Sequence, residues 1–261
     1  MAETDPIAVK LDAVTKVYDN GVTALGPLDL AVKHGEFVSL LGPSGCGKST
    51  ALRLIAGLTG PSSGTVNVSH RINEAHAGHA IGFVFQEPTL MPWASVRDNV
   101  RLPLRLAHVP EAEANQRLGE ALVQVGLAEF AEAYPRELSG GMKMRVSLAR
   151  ALVTNPDILL MDEPFAALDE ITRFRLNNDL LDLWRKLRMT VVFVTHSVFE
   201  SVYLSQRVIV MSQRPGRVSA EFRIDTPEPR VEEFRMSAGY AAYCREVSKA
   251  LLPSYSGPSS A

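Results

Sequence analysis

Through the first forty residues, apolar and polar positions alternate in short bursts: IAVKLDAV (7–14), VYDNGVTAL (17–25) and LDLAVKHGEFVSLL (28–41). A period near two predicts strands broken by turns. Asp19-Asn20-Gly21 predicts a hairpin, because Asn and Gly accept positive φ. FVSLL (37–41) predicts a buried strand that runs straight into GPSGCGKST, after which ALRLIAGL (51–58) takes helical spacing. Gly57 and Gly60-Pro61 punctuate the end of that helix, and SSGTVNV (62–68) predicts a further hairpin-like stretch.

HRINEAHAGHA (70–80) is expected to be a polar loop, and IGFVFQ (81–86) the next strand. From about Glu87 to Ala151 the pattern turns helical, with Leu118, Leu122 and Val125 on one face and Pro135 separating two segments. PDILLMDEP (156–164) predicts a buried strand ending in two acids, and a long helix follows with Leu176, Leu180, Trp184 and Leu187 on one stripe. TVVFVTH (190–196) is another buried strand, and RVIVMSQRPGRVSAEFRI (207–224) alternates as a terminal hairpin. TPEPR (226–230) opens a C-terminal extension whose helix-like stretch is EFRMSAGYAAYCREVSKALL (233–252), and SYSGPSSA (254–261) is expected to be disordered. Strands alternating with helices imply a mainly parallel sheet whose ligands bind beyond the carboxyl ends of its strands. The all-helical block between IGFVFQ and PDILLMDEP is then an inserted subdomain.

The 261 residues suffice for one large α/β domain, or for a core with a satellite subdomain. Lys and Arg number 27 against 29 Asp and Glu, which argues against a basic nucleic-acid surface. Cys46 and Cys244 are too few and too far apart for a disulfide framework, which fits a reducing compartment. The N-terminus, MAETDPIAVKLDAV, is acidic and lacks an apolar core, so it is not expected to be a secretory signal. The longest apolar runs, such as ILLM (158–161) and VVFV (191–194), are strand-sized, so membrane attachment is expected to come through a partner.

Chemistry concentrates in three places. Gly42-Pro43-Ser44-Gly45-Cys46-Gly47-Lys48-Ser49-Thr50 is a complete phosphate-binding loop between a strand and a helix. Its glycines let backbone N–H groups curl around phosphates, with the positive helix end aimed at them. Lys48 is placed for the β- and γ-phosphates and the Ser49 hydroxyl for Mg²⁺. Asp162 and Glu163 close a buried strand. Asp162 is expected to hold Mg²⁺ through water, and Glu163 to accept a proton from the attacking water or polarise it. Leu138-Ser139-Gly140-Gly141-Met142 opens the helix MKMRVSLARAL, with Ser139 as natural N-cap. On its own that would be an ordinary capped helix. Beside a complete phosphate loop, a second anion-binding helix start is economically explained by the γ-phosphate of a neighbouring subunit's ATP.

These motifs, in this order over about residues 7–225, resemble an ABC transporter nucleotide-binding subunit. The resemblance implies an α/β P-loop ATPase core with an N-terminal antiparallel β subdomain and an inserted α-helical subdomain. It divides a single cassette into a β subdomain and P-loop core (7–86), a helical subdomain (87–150), the second half of the core (151–225) and a C-terminal extension (226–261). It implies that Tyr18 stacks on adenine, that Gln86 is the Q-loop glutamine and a Mg²⁺ ligand, and that Ser139, Gly140 and Gly141 are the signature acting in trans. Ala166-Ala167-Leu168-Asp169 resembles the D-loop, and His196 the switch histidine at the γ-phosphate. One departure is Met142, where the family signature usually continues with Gln; the serine and both glycines are kept.

The resemblance further implies ATP and Mg²⁺ as cofactors, a homodimer, integral membrane permease subunits and a periplasmic substrate-binding protein. The expected location is the cytoplasmic face of the inner membrane, peripherally attached, with no nucleic acid bound. FQEPTLMPWASVRDNV (85–100) and VIVMSQRPGRV (208–218) are similar to ATPases of importers for nitrate, sulfonates, taurine and bicarbonate. Glu87 to Trp93 is apolar for a loop. Leu90, Met91 and Trp93 either meet a membrane subunit's coupling helix, as in the family, or pack the subdomain core. ABC cassettes of DNA repair, chromosome organisation and ribosome work carry coiled coils, zinc modules or a second cassette, none of which occurs in this sequence. A kinase or GTPase sharing only the P-loop leaves 138–142 without a purpose, and no guanine-reading Asn-Lys-x-Asp is present. His70, His76 and His79 sit in a loop poorly spaced for a metal, and Cys46 is expected to be a small loop residue with no catalytic task.

Overall fold

The structure, a computed structural model, describes residues 6–69, 81–226, 230 and 232–254. The expected polar loop with His70, His76 and His79 lies outside the described residues, as does the expected disordered tail except for Ser254. In chain order the elements are β1 (Ile7–Val17), β2 (Thr23–Lys33), β3 (Phe37–Leu41), α1 (Lys48–Ile55), β4 (Ser63–Val68), β5 (Ile81–Val84), α2 (Val96–Leu106) and α3 (Glu111–Gln124). They continue with α4 (Gly140–Leu152), β6 (Ile158–Asp162), α5 (Glu170–Leu187), β7 (Thr190–Thr195), α6 (Val198–Leu204), β8 (Arg207–Met211), β9 (Val218–Arg223) and α7 (Ala238–Leu251). Two compact units result: Met1–Ser69 with Thr190–Ala261, and His70–Met189.

In the first unit, β1 and β2 form the antiparallel hairpin that Asp19-Asn20-Gly21 predicts, closed by Tyr18 N–H donating to Val22 O at 3.0 Å. VYDNGVTAL is not a strand of its own; its two ends finish β1 and begin β2 around the turn. SSGTVNV likewise makes no local hairpin. It becomes β4, which pairs antiparallel with β1 through Leu11↔Val66, so the three-strand order is β2-β1-β4. Beside this sheet, β3 runs parallel between β7 and β8, and β9 returns antiparallel to β8. Every residue of β3 and β7 is buried, as expected where both faces of a parallel sheet are covered. Gly42 and His196 therefore both follow directly on the carboxyl ends of neighbouring parallel strands.

The C-terminal extension packs onto α6. Tyr240 Oη donates to Phe199 O at 2.9 Å, Phe234 meets Tyr203 and Tyr240 ring to ring, and the Arg235 guanidinium lies 3.7 Å from the Tyr203 ring centre. Arg230, at the start of the C-terminal extension, is 4% exposed and ends α6. Its guanidinium donates to the carbonyls of Tyr203 (2.9 Å), Ser205 (2.7 Å) and Ile224 (3.2 Å). A cation on the last carbonyls of a helix satisfies orphan acceptors and complements the dipole. Arg230→Ala should therefore cost about 2–3 kcal/mol of stability, since hydrogen bonds to a charged donor are lost and buried carbonyls orphaned. A urea titration that moves by less than about 0.5 kcal/mol, within the scatter of surface substitutions, would show that water replaces the side chain without loss.

In the second unit, β5 and β6 pair in parallel, with Val84 opposite Met161. The expected strand 81–86 stops at Val84, so Phe85 and Gln86 leave it. Leu118 and Leu122 are buried on α3, and Val125 is buried one residue past its end. On α5 the stripe holds for Leu176, Leu180 and Trp184, but Leu187 is 38% exposed. Leu187 is the last helical residue, and Arg188 at φ 50° turns the chain away before that side chain can be covered. Asn99, fully buried on α2, accepts from Met91 N–H (2.8 Å) and donates to the carbonyls of Met91, Ala94 and Ser95. One side chain thereby shapes the loop before α2.

Candidate active site

The first unit carries the phosphate loop. Leu41 ends β3, residues 42–47 turn, and α1 starts at Lys48 with Gly47 as N-cap at φ 97°. A Cβ on Gly47 would lie 2.6 Å from Leu25 Cδ2 and 2.7 Å from Ala24 O, so both the conformation and the packing demand glycine. No side chain caps α1 and no acid occupies its first turn, which leaves the positive helix end suited to an anion. Lys48 is 3% exposed, and its Nζ donates to Gly42 O (2.8 Å) and Pro43 O (3.0 Å). The loop's own carbonyls hold the ammonium inside the turn.

His196, expected at the γ-phosphate, stands in the same cluster. Its Nδ1 lies 3.1 Å from Gly42 O and 3.4 Å from Lys48 Nζ. Protonated at Nδ1 the ring donates to the carbonyl; unprotonated there it accepts from the ammonium, so the tautomer selects the partner. Ser197 caps α6 by accepting from Glu200 N–H, and Thr195 Oγ1 donates to Glu200 Oε2 at 2.5 Å, which fixes the chain on both sides of the imidazole. Tyr18, at the hairpin, places its hydroxyl 3.2 Å from Thr50 Oγ1 on α1, with Lys16 Nζ 5.4 Å from its ring centre. Ser44 and Gly45 are exposed, Ser49 is half-buried, and Cys46 is fully buried. Burial pushes the Cys46 thiol up, against a smaller opposing pull from Lys48, so it stays a protonated packing residue.

The second unit holds the other motifs. Asp162 is the last residue of β6, and Glu163 follows at φ 49°, a left-handed conformation that a non-glycine residue adopts at a cost of about 1 kcal/mol. Gln86 lies two residues beyond Val84, at the same end of the β5–β6 pair. Ser139 caps α4, accepting from Met142 N–H at 3.3 Å, as its residue type predicts. A Cβ on Gly141 would meet Thr172 Cγ2 at 2.6 Å, and one on Gly140 would meet Leu168 Cδ2 at 3.4 Å. Gly140 thus lies against Leu168, in the stretch that resembles a D-loop, and Gly141 against the first turn of α5. Asp169 there caps α5, and the Thr172 N–H holds its carboxyl below the usual range.

Arg150 escaped sequence analysis. Its guanidinium donates to Pro88 O, Thr89 O and Thr89 Oγ1, each at 2.9 Å, and so pins the loop after Gln86. Nothing in the residue pattern of MKMRVSLARAL, which carries both Arg145 and Arg150, sets this arginine apart. That loop borders a cleft of about 350 Å³ lined by Phe83, Phe85, Leu102, Pro103, Arg150 and Thr154. Trp93 is 77% exposed, and Leu90 and Met91 are half-buried. For Trp93 the packing alternative is thereby removed. No helix among the described residues is long and apolar enough to cross a membrane.

A strand, glycine loop and uncapped helix around a buried lysine, with a capped glycine helix start elsewhere in the chain, define a P-loop nucleotide-binding cassette. The family model described as ABC transporter matches residues 25–166. The taurine import ATP-binding protein of Rhizobium johnstonii is 50% identical over 208 residues, covering 80% of this chain and 79% of that protein. The nitrate import ATP-binding protein NrtD of Synechocystis sp. is 44% identical over 237 residues, 88% of each chain. A dimeric post-hydrolysis ATP-binding cassette bound to ADP and phosphate superimposes with a TM-score of 0.72 at 37% identity, covering 84% of this chain and all of that one. The chain belongs to the ABC transporter family, as an ATP-binding and ATP-hydrolysing subunit. Its fold is the α/β P-loop ABC ATPase core with an N-terminal antiparallel β subdomain and an inserted helical subdomain.

Proposed function

We propose that this chain powers an importer for a small anion of the nitrate, sulfonate or taurine kind. It would act as a homodimer on membrane permease subunits at the cytoplasmic face of the inner membrane, supplied by a periplasmic binding protein. The likeness to both a taurine and a nitrate import ATP-binding protein carries this reading.

In the proposed cycle, residues 42–50 hold the phosphates of ATP, Lys48 neutralises them, and Tyr18 stacks on adenine. Ser139, Gly140 and Gly141 of one copy take the γ-phosphate of ATP held by the other, with Asp169 in the adjoining loop. Nucleotide thereby favours the closed dimer through its differential affinity for that state. Glu163 activates water and His196 contacts the γ-phosphate; loss of that phosphate reopens the pair. Ser49, Gln86 and Asp162 offer hydroxyl, amide and carboxylate oxygens, a hard donor set that fits Mg²⁺, which would neutralise phosphate charge.

The loop at 87–95, held by Arg150 and Asn99, and the cleft beside Phe83 and Phe85 suit the apolar face of a permease helix. Trp93→Ala should lower recovery of permease with the subunit about tenfold, a usual effect of losing an aromatic anchor, while the melting temperature holds. Isolation from native membranes in mild detergent tests the whole reading. A stoichiometric polytopic protein that leaves on Trp93→Ala supports it, whereas recovery with DNA, RNA or ribosomes would overturn the transport assignment and leave the ATPase intact.

A further inference from the structure

The stretch Ser212-Gln213-Arg214-Pro215-Gly216-Arg217 joins β8 to β9 and has no part in the cycle above. It nevertheless touches the phosphate loop directly. Arg214 Nε donates to Gly45 O at 3.0 Å, and its guanidinium lies against the Gly45 backbone, where a Cβ would be 3.1 Å from Nη2. Gly216 comes closer still, since a Cβ there would lie 1.9 Å from Cys46 O. No larger residue fits without moving the phosphate loop.

The stretch is anchored independently of the phosphate loop. Gly216 N–H donates to Ala24 O (3.0 Å), and Gly26 N–H donates to Gly216 O (3.2 Å), which ties it to β2. Ser212 N–H donates to Arg217 O (2.9 Å) and Arg217 N–H to Ser212 Oγ (3.2 Å), closing the turn on itself. The phosphate loop keeps its shape only if its carbonyls find partners: Gly42 O and Pro43 O accept from Lys48 inside the turn, and Gly45 O needs a donor from elsewhere. Arg214 supplies that partner at Gly45 with a charged donor, and the N–H of the same peptide, on Cys46, donates to Pro43 O at 3.3 Å, so the pair fixes the shape of the turn on which the phosphates would sit.

We propose that Arg214 is a positioning residue for the phosphates of ATP, acting through the Gly45 carbonyl, with Gly216 setting the height of the arginine against the loop. The proposal rests on the reading of residues 42–50 as the ATP phosphate site. On losing one charge-assisted hydrogen bond, Arg214→Ala should weaken ATP about tenfold, with the loss in KM and in equilibrium binding of a fluorescent ATP analogue rather than in kcat. Arg214→Lys, which keeps a cationic donor, should recover part of the affinity. The nucleotide-free melting temperature of Arg214→Ala should stay within about 2 °C of the parent, as expected for an exposed side chain.

Unchanged analogue binding in Arg214→Ala would overturn the proposal. So would a weakening matched by a fall in nucleotide-free melting temperature, or one that Arg214→Lys leaves uncorrected. Lys48→Ala serves as the separate control: if it binds the analogue as the parent does, the phosphate-site reading itself is wrong, whatever Arg214 does.

Discussion

Glu163→Gln is expected to bind ATP, to lose hydrolysis by roughly 10²–10⁴-fold, the contribution typical of a positioned general base, and to accumulate as a nucleotide-bound dimer. Gln has the shape of Glu and the same aversion to φ 49°, so the backbone after β6 should not relax. Glu163 O continues to accept from Ala166 N–H at 3.2 Å, so the turn into Phe165 is kept too. What changes is basicity: the amide cannot take a proton from water. Residues 42–50 and the signature are untouched, so ATP still draws two copies together. With hydrolysis blocked, dissociation of intact ATP is the remaining exit from the closed state. Light scattering in the presence of ATP, run beside phosphate release, checks both halves. Turnover at the parent rate would remove Glu163 from its role, and a monomer saturated with ATP would remove nucleotide from dimer closure.

The site's local parts were legible in the sequence. A buried strand, a glycine loop and a helix are consecutive in the chain, so Phe37 to Ile55 could be assembled from neighbours alone, and Ser139 announced its cap by residue type. Parts fixed by remote pairing were not legible. β4 finds its partner in β1, some fifty residues earlier, because an antiparallel edge takes whichever strand the fold presents. Arg150, Arg214 and Arg230 each act on backbone carbonyls far away in sequence, and any lone arginine in a helix or loop looks like solvated surface until those carbonyls are placed. Leu187 was misread for a related reason. Periodicity marks the stripe but not where the neighbouring element stops covering it.

These remote arginines share one physical task. A turn or a helix end leaves some carbonyls without a local N–H, and a donor from a remote segment can satisfy them. Arg150 does so for the loop after Gln86, Arg214 for the phosphate loop, and Arg230 for the end of α6. Planar guanidinium groups suit this work because several donors leave one rigid fork.

Gly140→Asp should separate folding from function more sharply than any other substitution at the signature. Gly140 is exposed as the first residue of α4, and a Cβ there meets only Leu168 Cδ2 at an ordinary 3.4 Å. A carboxylate in the first turn opposes the helix dipole, which favours the helix by about 0.3–1 kcal/mol, and the Ser139 cap on Met142 N–H needs no change. The fold should thus be as stable as the parent or slightly more so. The same carboxylate occupies the helix end assigned to the γ-phosphate of a second copy's ATP, where like charges at contact distance oppose closure. ATP should bind each separate chain through residues 42–50, yet no dimer should form and hydrolysis should fall by at least about 100-fold, the loss of roughly 3 kcal/mol of closing free energy. Melting temperature, analogue binding and ATP-induced dimerisation, measured on one preparation, distinguish the outcomes. A stable variant that still dimerises and hydrolyses would mean that α4 does not receive the phosphate.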